Sequence, residues 1–271
     1  MSESSFCIFL LFFSCFFNII ILERRLKKLK KIIPNIILIL SICGLLFSGY
    51  KLWKIYKEYD TGKTIYENLE KNIDIKQEKN DDTFTLDVNF EELKKINSRC
   101  VGWIYIPNTA INYPIVEAEN NNYELKHAFD GTYNINGSIF ISEVNHAFND
   151  KNTIIYGHNM KNGTMFSDLY NFKDQEFANN TPYIYLAKED GKTEKYKVIS
   201  AYTTQDCSDS YNTVFKNDET FLKEVNRMIA NSEITIDGVA VSDNDKIITL
   251  STCTSREQLE RFVVHAIKVK D

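Results

Sequence analysis

Glycine and proline are scarce in this 271-residue chain, at ten and four, which excludes a collagen-like or low-complexity polymer. Cysteine is scarce as well. Six are too few for a disulfide-dense scaffold of this length. There is no basic excess: 32 Lys and Arg face 37 Asp and Glu, a formal net charge of -5, so the electrostatic footprint of a nucleic-acid binder is missing. No Cys-x-x-Cys occurs, and no two of the four histidines have metal-ligand spacing. A zinc site is therefore not expected, and no cofactor is. What the chain does have is 44% apolar and 13% aromatic residues, enough for a packed core.

The charge is divided unevenly. Residues 1–56 hold eight Lys and Arg against two Glu, a net of +6, and the remaining 215 residues carry a net of -11. A basic, apolar head and an acidic, polar body read as a membrane anchor followed by one domain. Two uncharged apolar stretches, 6–22 and 32–50, flank Glu23-Arg24-Arg25-Leu26-Lys27-Lys28-Leu29-Lys30-Lys31. At 1.5 Å per residue the 19 residues of the second stretch reach about 28 Å as a helix, close to the hydrocarbon thickness of a bilayer. Pro34 is expected in its first turn, and Tyr50, Lys51, Trp53 and Lys54 form an interfacial belt at its far end. The six positive charges between the stretches should stay in the cytoplasm, so the body lies outside. The first stretch is either a second span or an upstream extension from a misassigned start codon. Segment 1–54 is thus the anchor, 55–84 a helical or partly disordered stalk, and 85–271 the functional domain.

A short helix is expected near Phe90–Ile96 with Asn89 as its cap. From Val101 the texture turns to short β-runs between Asn, Asp and Gly turns. They are Val101–Ile106, Tyr113–Val116, Gly137–Ile141, Thr153–Tyr156, Tyr183–Leu186, Tyr196–Tyr202, Lys246–Thr252 and Arg261–Val269. Eight such runs predict a mainly β domain, a closed barrel or a sandwich. Helices are expected at Met165–Phe172, extending to Phe177, and at Glu219–Asn231, where Phe221, Leu222, Val225, Met228 and Ile229 share a face.

The body holds three cysteines, Cys100, Cys207 and Cys253, an odd number in an exposed compartment, so at least one thiol is unpaired or bonded to another molecule. Cys253 ends the apolar run Ile247–Thr252, and after seven intervening residues Arg261 opens another. Paired as a hairpin, the two face each other at the sheet rim. There a guanidinium can favour a thiolate or donate to an oxyanion. Arg256 is nearer in sequence, but its direction in the loop is unconstrained. His158 ends the run Thr153–Gly157 and is the candidate base. His265 lies deeper along the last strand and reads as structural. His127 and His146 lie in polar loops and read as surface residues, Cys100 as a core residue and Cys207 as incidental.

These residues carry a resemblance. Thr249-Leu250-Ser251-Thr252-Cys253, Arg261 in Arg-Phe-Val-Val-His-Ala, and Tyr156-Gly157-His158-Asn159 resemble the sortases, cysteine transpeptidases of Gram-positive cell surfaces. Val101–Pro107, Asn112–Val116, Gly137–Phe140 and Met165-Phe166 point to class B, in consistent order over roughly residues 85–271. The loop Ile141–Asn145 and the first apolar stretch depart from the family pattern. The resemblance implies an eight-stranded closed β-barrel with peripheral helices, anchored in the cell membrane and facing the wall. It implies that Cys253 attacks the carbonyl after a Thr in the C-terminal sorting signal of a surface protein, forming a thioester. His158 moves the protons, Arg261 orients the substrate and stabilises the oxyanion, and a peptidoglycan cross-bridge amine takes the acyl group. Tyr156, Ser251 and Asn121 are candidate substrate-binding residues. Two alternatives stand beside this reading: an L,D-transpeptidase, whose His-Gly element before the cysteine is missing here, and a non-enzymatic anchored adhesin β-domain.

Overall fold

The computed structural model describes residues 3–78, 83–238, 240–254 and 259–270, with side chains from residue 30 onward. Two compact units follow one another along the chain, one reaching to Lys57 and one beginning at Glu58. Helix α1 (Glu3–Leu69) carries both apolar stretches and the basic stretch between them. Pro34 therefore lies inside the helix, not in its first turn. The reason is local. The Arg-, Lys- and Leu-rich residues before it are good helix formers and carry the helix through, at the cost of one main-chain hydrogen bond at the proline. Among the described residues α1 is the one helix long and apolar enough to cross a membrane; its best window has a mean hydropathy of 2.2 and none of it is buried in protein.

The stretch 55–84, expected as a stalk, is built differently. The last turns of α1 bury Tyr66 and Leu69 in the core of the second unit. Strands β1 (Ile73–Gln77) and β2 (Phe84–Val88) then form an antiparallel hairpin. Phe84 sets its ring edge-on to Tyr105 and Tyr185, 5.3 Å from each, so the hairpin is packed on the barrel. Helix α2 (Phe90–Ile96) begins where expected, with the Asn89 side chain accepting from the Glu92 N–H.

The body closes into a barrel of eight strands. They are β3 (Cys100–Tyr105), β4 (Asn112–Glu117), β5 (Ile139–Ile141), β6 (Asn152–Tyr156), β7 (Tyr183–Lys188), β8 (Thr193–Gln205), β9 (Ile247–Cys253) and β10 (Glu260–Lys268). Each matches one of the eight expected runs, most within a residue or two at either end; β8 extends further both ways. Around the barrel the order is β10-β8-β7-β3-β4-β5-β6-β9. Only β4–β5 and β6–β9 pair in parallel. Alternation explains the walls: Ile248, Leu250, Phe262 and Val264 belong to the main core, while their neighbours Val263 and Ile267 face outward under a helix. That helix, α5 (Asp218–Ala230), is capped by Asn217 and covers Ile199, Val263 and Ile267 with Phe221, Val225 and Met228. Burying each such side chain contributes about 1.5–3 kcal/mol, so the helix is held by packing more than by its own propensity. Helices α3 (Asn121–Glu124) and α4 (Gln175–Asn180) are short. The segment expected as a helix at 165–172 is a 3-10 turn at Ser167–Lys173 running into α4.

Candidate active site

The rim where β6, β9 and β10 end carries the chemistry. In the β9–β10 hairpin Cys253 stands opposite Arg261, with Ser251 opposite Val263. In the parallel β6–β9 pair Tyr156 stands opposite Ser251. The ladder ends there; counted on by two places, the same register would bring His158 level with Cys253. In a parallel pair opposite residues project from the same face, with main chains about 4.8 Å apart. The strands stay together past the ladder: the Gly157 N–H donates to the Ser251 carbonyl (3.2 Å), the Thr252 hydroxyl to the Gly157 carbonyl (2.8 Å), and the Asn159 amide to the Cys253 carbonyl (3.1 Å). Gly157 also lets Ile139 and Phe166 pack against this strand end, because a Cβ there would lie 2.5 Å from Ile139 Cδ1 and 2.7 Å from Phe166 Cγ.

A cleft of about 230 Å³ opens beside Cys253. Asn121, Tyr156, Ser251, Cys253 and Arg261 all line it, with Leu125, Phe140, Gly157, Asp206 and Thr252. His158 is not itself in that lining; it follows the lining residue Gly157 and is bonded to the main chain of another, Leu125. Its Nε2 lies 2.7 Å from the Leu125 carbonyl, which only accepts, so this nitrogen carries a proton and Nδ1 is the acceptor of the neutral ring. Burial holds its pKa below the ordinary histidine value, against the opposing pull of that carbonyl. Cys253 is partly exposed, and Cys43, Cys100, Cys207 and Cys253 are all free thiols. Cys100 is buried and its thiol is pushed up to about 12 by burial, as suits a core residue; Cys207 is exposed.

Arg261 is oriented by its surroundings. One guanidinium nitrogen donates to the Glu260 carbonyl (3.1 Å) and another to Asp206 Oδ2 (3.4 Å). Asp206 is fixed in turn by its N–H on the Leu259 carbonyl. Tyr156 and Tyr211 stack with ring centres 6.1 Å apart, and the Tyr211 hydroxyl bonds the Ser251 hydroxyl at 2.8 Å. Burial pushes the Tyr156 phenol up to about 12 and that of Tyr211 higher, so both are neutral donors. Asn121 turns its Oδ1 to the Glu143 N–H (2.9 Å), which ties α3 to the loop after β5. The buried Glu124, paired with Arg99, anchors the same helix and so places the Leu125 carbonyl on His158.

His265 is fully buried, bonded through Nδ1 to the Ser200 hydroxyl (2.9 Å), and stands away from the cleft lining; His146 is exposed and His127 stacks on Tyr123 at the surface. Arg256 lies outside the described residues. Among the described residues no group of His, Cys, Asp or Glu could hold a metal. Sequence reasoning missed Tyr211, Asp206 and Leu125. Leu125 acts through its carbonyl, which no residue type announces. Tyr211 and Asp206 sit in the polar turn after β8, where no periodicity singles them out.

Comparisons with known proteins bear on the fold and the family. The family model of the sortase domain matches residues 104–269. Sortase B of Listeria monocytogenes is 34% identical over 245 residues, covering 86% of this chain and 95% of that protein. The crystal structure of sortase B from Bacillus anthracis superposes with a TM-score of 0.69 at 31% identity, covering 80% of this chain and all of that one. A Staphylococcus aureus sortase B–substrate complex does so with a TM-score of 0.62 at 34% identity, covering 67% of this chain and 84% of that one.

Proposed function

The chain belongs to the sortase family, class B, and is a cysteine transpeptidase; on that premise we propose that Cys253, His158 and Arg261 carry its reaction. Family membership removes the adhesin and L,D-transpeptidase readings. The observation that carries the residue assignment is the register: Cys253 opposite Arg261 on one side, and the end of the His158 strand stapled to it on the other.

In this reading His158 Nδ1 takes the proton of the Cys253 thiol. The thiolate sulfur bonds to the main-chain carbonyl carbon of the Thr in a C-terminal sorting signal, and that carbon's oxygen becomes an oxyanion facing the Arg261 guanidinium. Collapse breaks the scissile C–N bond. The leaving amine takes the proton from His158, and the acyl group stays on sulfur as a thioester. An amino group of a wall cross-bridge then gives its proton to Nδ1 as its nitrogen bonds to the acyl carbon, and the sulfur leaves and recovers a proton. Tyr156, Ser251 and Asn121 line the cleft that would hold the signal. Tyr211 closes the wall over Ser251. The S. aureus relative has been captured with a substrate, which supports a peptide in the corresponding groove. The basic stretch before the apolar segment supports a membrane-anchored chain with the catalytic unit outside.

The test is cleavage of a small library of fluorogenic sorting-signal peptides with an added amine, followed by intact-mass analysis. A mass increment on the chain that maps to Cys253 and disappears on adding amine is expected. Cys253→Ala and His158→Ala should each abolish turnover while the fold is kept. Turnover by either variant at the wild-type rate refutes the role given to that residue.

A further inference from the structure

The β6–β9 ladder stops at Tyr156 and Ser251, two residues short of the two reacting side chains. Two of the three ties beyond it, Gly157 N–H to Ser251 and Thr252 hydroxyl to Gly157, stop two residues and one residue short of Cys253. Among the described residues, Asn159 is the one side chain on the β6 side that hydrogen-bonds to Cys253 itself, through its main-chain carbonyl. We propose that Asn159 is a positioning residue, whose side-chain amide locks the Cys253 main chain to the strand end that carries His158 and so sets the distance between imidazole and sulfur. This proposal rests on the catalytic reading of Cys253 and His158.

Asn159 is well placed for this, because its own main chain is held from the far side. It forms an antiparallel bridge with Met165, and the Phe166 N–H donates to the His158 carbonyl at 2.9 Å. Met165 is fully buried and its N–H donates to the Tyr113 hydroxyl at 3.0 Å. The turn 159–165 is therefore clamped at its base, and Asn159 reaches from a rigid element to the last residue of β9. Without the tie, Cys253 is held sideways by β10 alone. A shift of the sulfur by about 1 Å is enough to cost a proton-transfer and attack geometry one to two orders of magnitude.

The test uses the full chain and does not depend on knowing the substrate. Iodoacetamide labelling of Cys253 is followed by peptide mass spectrometry between about pH 5 and 9 in the wild type, Asn159→Ala, Asn159→Ser and His158→Ala. The charged and titratable groups around the sulfur are His158, Arg261, Asp206 and Tyr156, and among these variants only the Asn159 changes leave all four in place. Asn159→Ala should move the labelling midpoint toward that of His158→Ala by about half a pH unit or more, since the imidazole's influence falls with distance. With a cleavable peptide, its kcat should fall about tenfold with KM within about twofold, the signature of lost transition-state geometry. Asn159→Ser, which keeps a short donor, should lie between. An unchanged midpoint in Asn159→Ala, or an effect on KM alone, overturns the proposal, as does a loss of activity that merely tracks a loss of folded protein. If His158→Ala labels with the same midpoint as the wild type, the catalytic reading itself fails and the proposal with it; a displaced His158→Ala midpoint beside an unmoved Asn159→Ala one overturns the positioning role alone.

Discussion

His265 gives a prediction whose size follows from its surroundings. The ring is fully buried between β8 and β9, stacked on Tyr202 with centres 5.3 Å apart. Nδ1 meets the Ser200 hydroxyl, and Nε2 has no hydrogen-bond partner among the described residues. Protonation would place a charge where nothing compensates it, and burial drives the pKa down to about 3. An unfolded histidine titrates near 6.5, so between those values the unfolded state binds the extra proton and the folded state does not. The stabilising contribution is therefore complete above about pH 6.5 and is lost as pH falls towards 3. At 1.36 kcal/mol per pKa unit, pH 5 lies 1.5 units below the unfolded value, so this one group costs about 2 kcal/mol there.

The assay is urea denaturation followed by tryptophan fluorescence at pH 7.0, 6.0 and 5.0, a window in which most carboxylates stay ionised. The wild type should lose stability on acidification. His265→Gln should lose about 2 kcal/mol less over the same interval, whatever its absolute stability. Burial lowers His158 as well, but that contribution is common to both proteins and cancels in the difference. Equal slopes for the two proteins would mean that His265 is protonated in the folded state without penalty, and the account of its burial would be wrong.

Three further outcomes follow from the site. Arg261→Lys should lose most of kcat in the peptide assay even though charge is retained, because one ammonium cannot reproduce the planar fork now shared between the Glu260 carbonyl and Asp206; activity near wild type would leave Arg261 as a generic positive charge. Tyr211→Phe removes the hydroxyl bonded to Ser251 and should raise KM severalfold, about 1 kcal/mol, with little change in thermal midpoint; an unaltered KM would take Tyr211 out of the binding wall. Gly157→Ala adds a methyl 2.5 Å from Ile139 and 2.7 Å from Phe166 and should destabilise the domain by about 1–3 kcal/mol in the same urea titration; an unperturbed midpoint would show that both neighbours can yield.

Much of the barrel was legible because its strands are short, apolar and bounded by turn residues, and hydrophobic periodicity reads such runs well. The hairpin at 73–88 was not. Its strands set Asp, Lys, Gln and Thr among Ile73, Ile75, Phe84, Leu86 and Val88, and that alternating face, which packs on the main core, is too short to stand out from a charged stretch. The Cys253–Arg261 pairing was legible, since a seven-residue loop between two β-runs makes a hairpin register that can be counted. The partners that orient the site were not. The Leu125 carbonyl, the Asp206 carboxylate and the Tyr211 hydroxyl arrive from connections distant in the chain, and local pattern carries no record of them; the Glu260 carbonyl adjoins Arg261 but is main chain, which no residue type announces.

The parallel pairing of β6 with β9 is what makes the rest possible. Had these neighbours run antiparallel, their C-terminal ends would sit at opposite rims of the barrel, and a histidine ending one could not meet a cysteine ending the other. Parallel strands need a long crossover, and here it is the whole stretch from Gly157 to Lys246, containing β7, β8 and α5. That crossover also delivers the turn with Asp206 and Tyr211 to the same rim. The hairpin from β9 to β10 then needs only a short loop to return Arg261 to the side of Cys253. Two opposite pairing directions on either side of β9 thus gather three side chains from separate stretches at one edge. A register slip of one residue in either pair would send one of them into the apolar interior with Leu250 and Phe262.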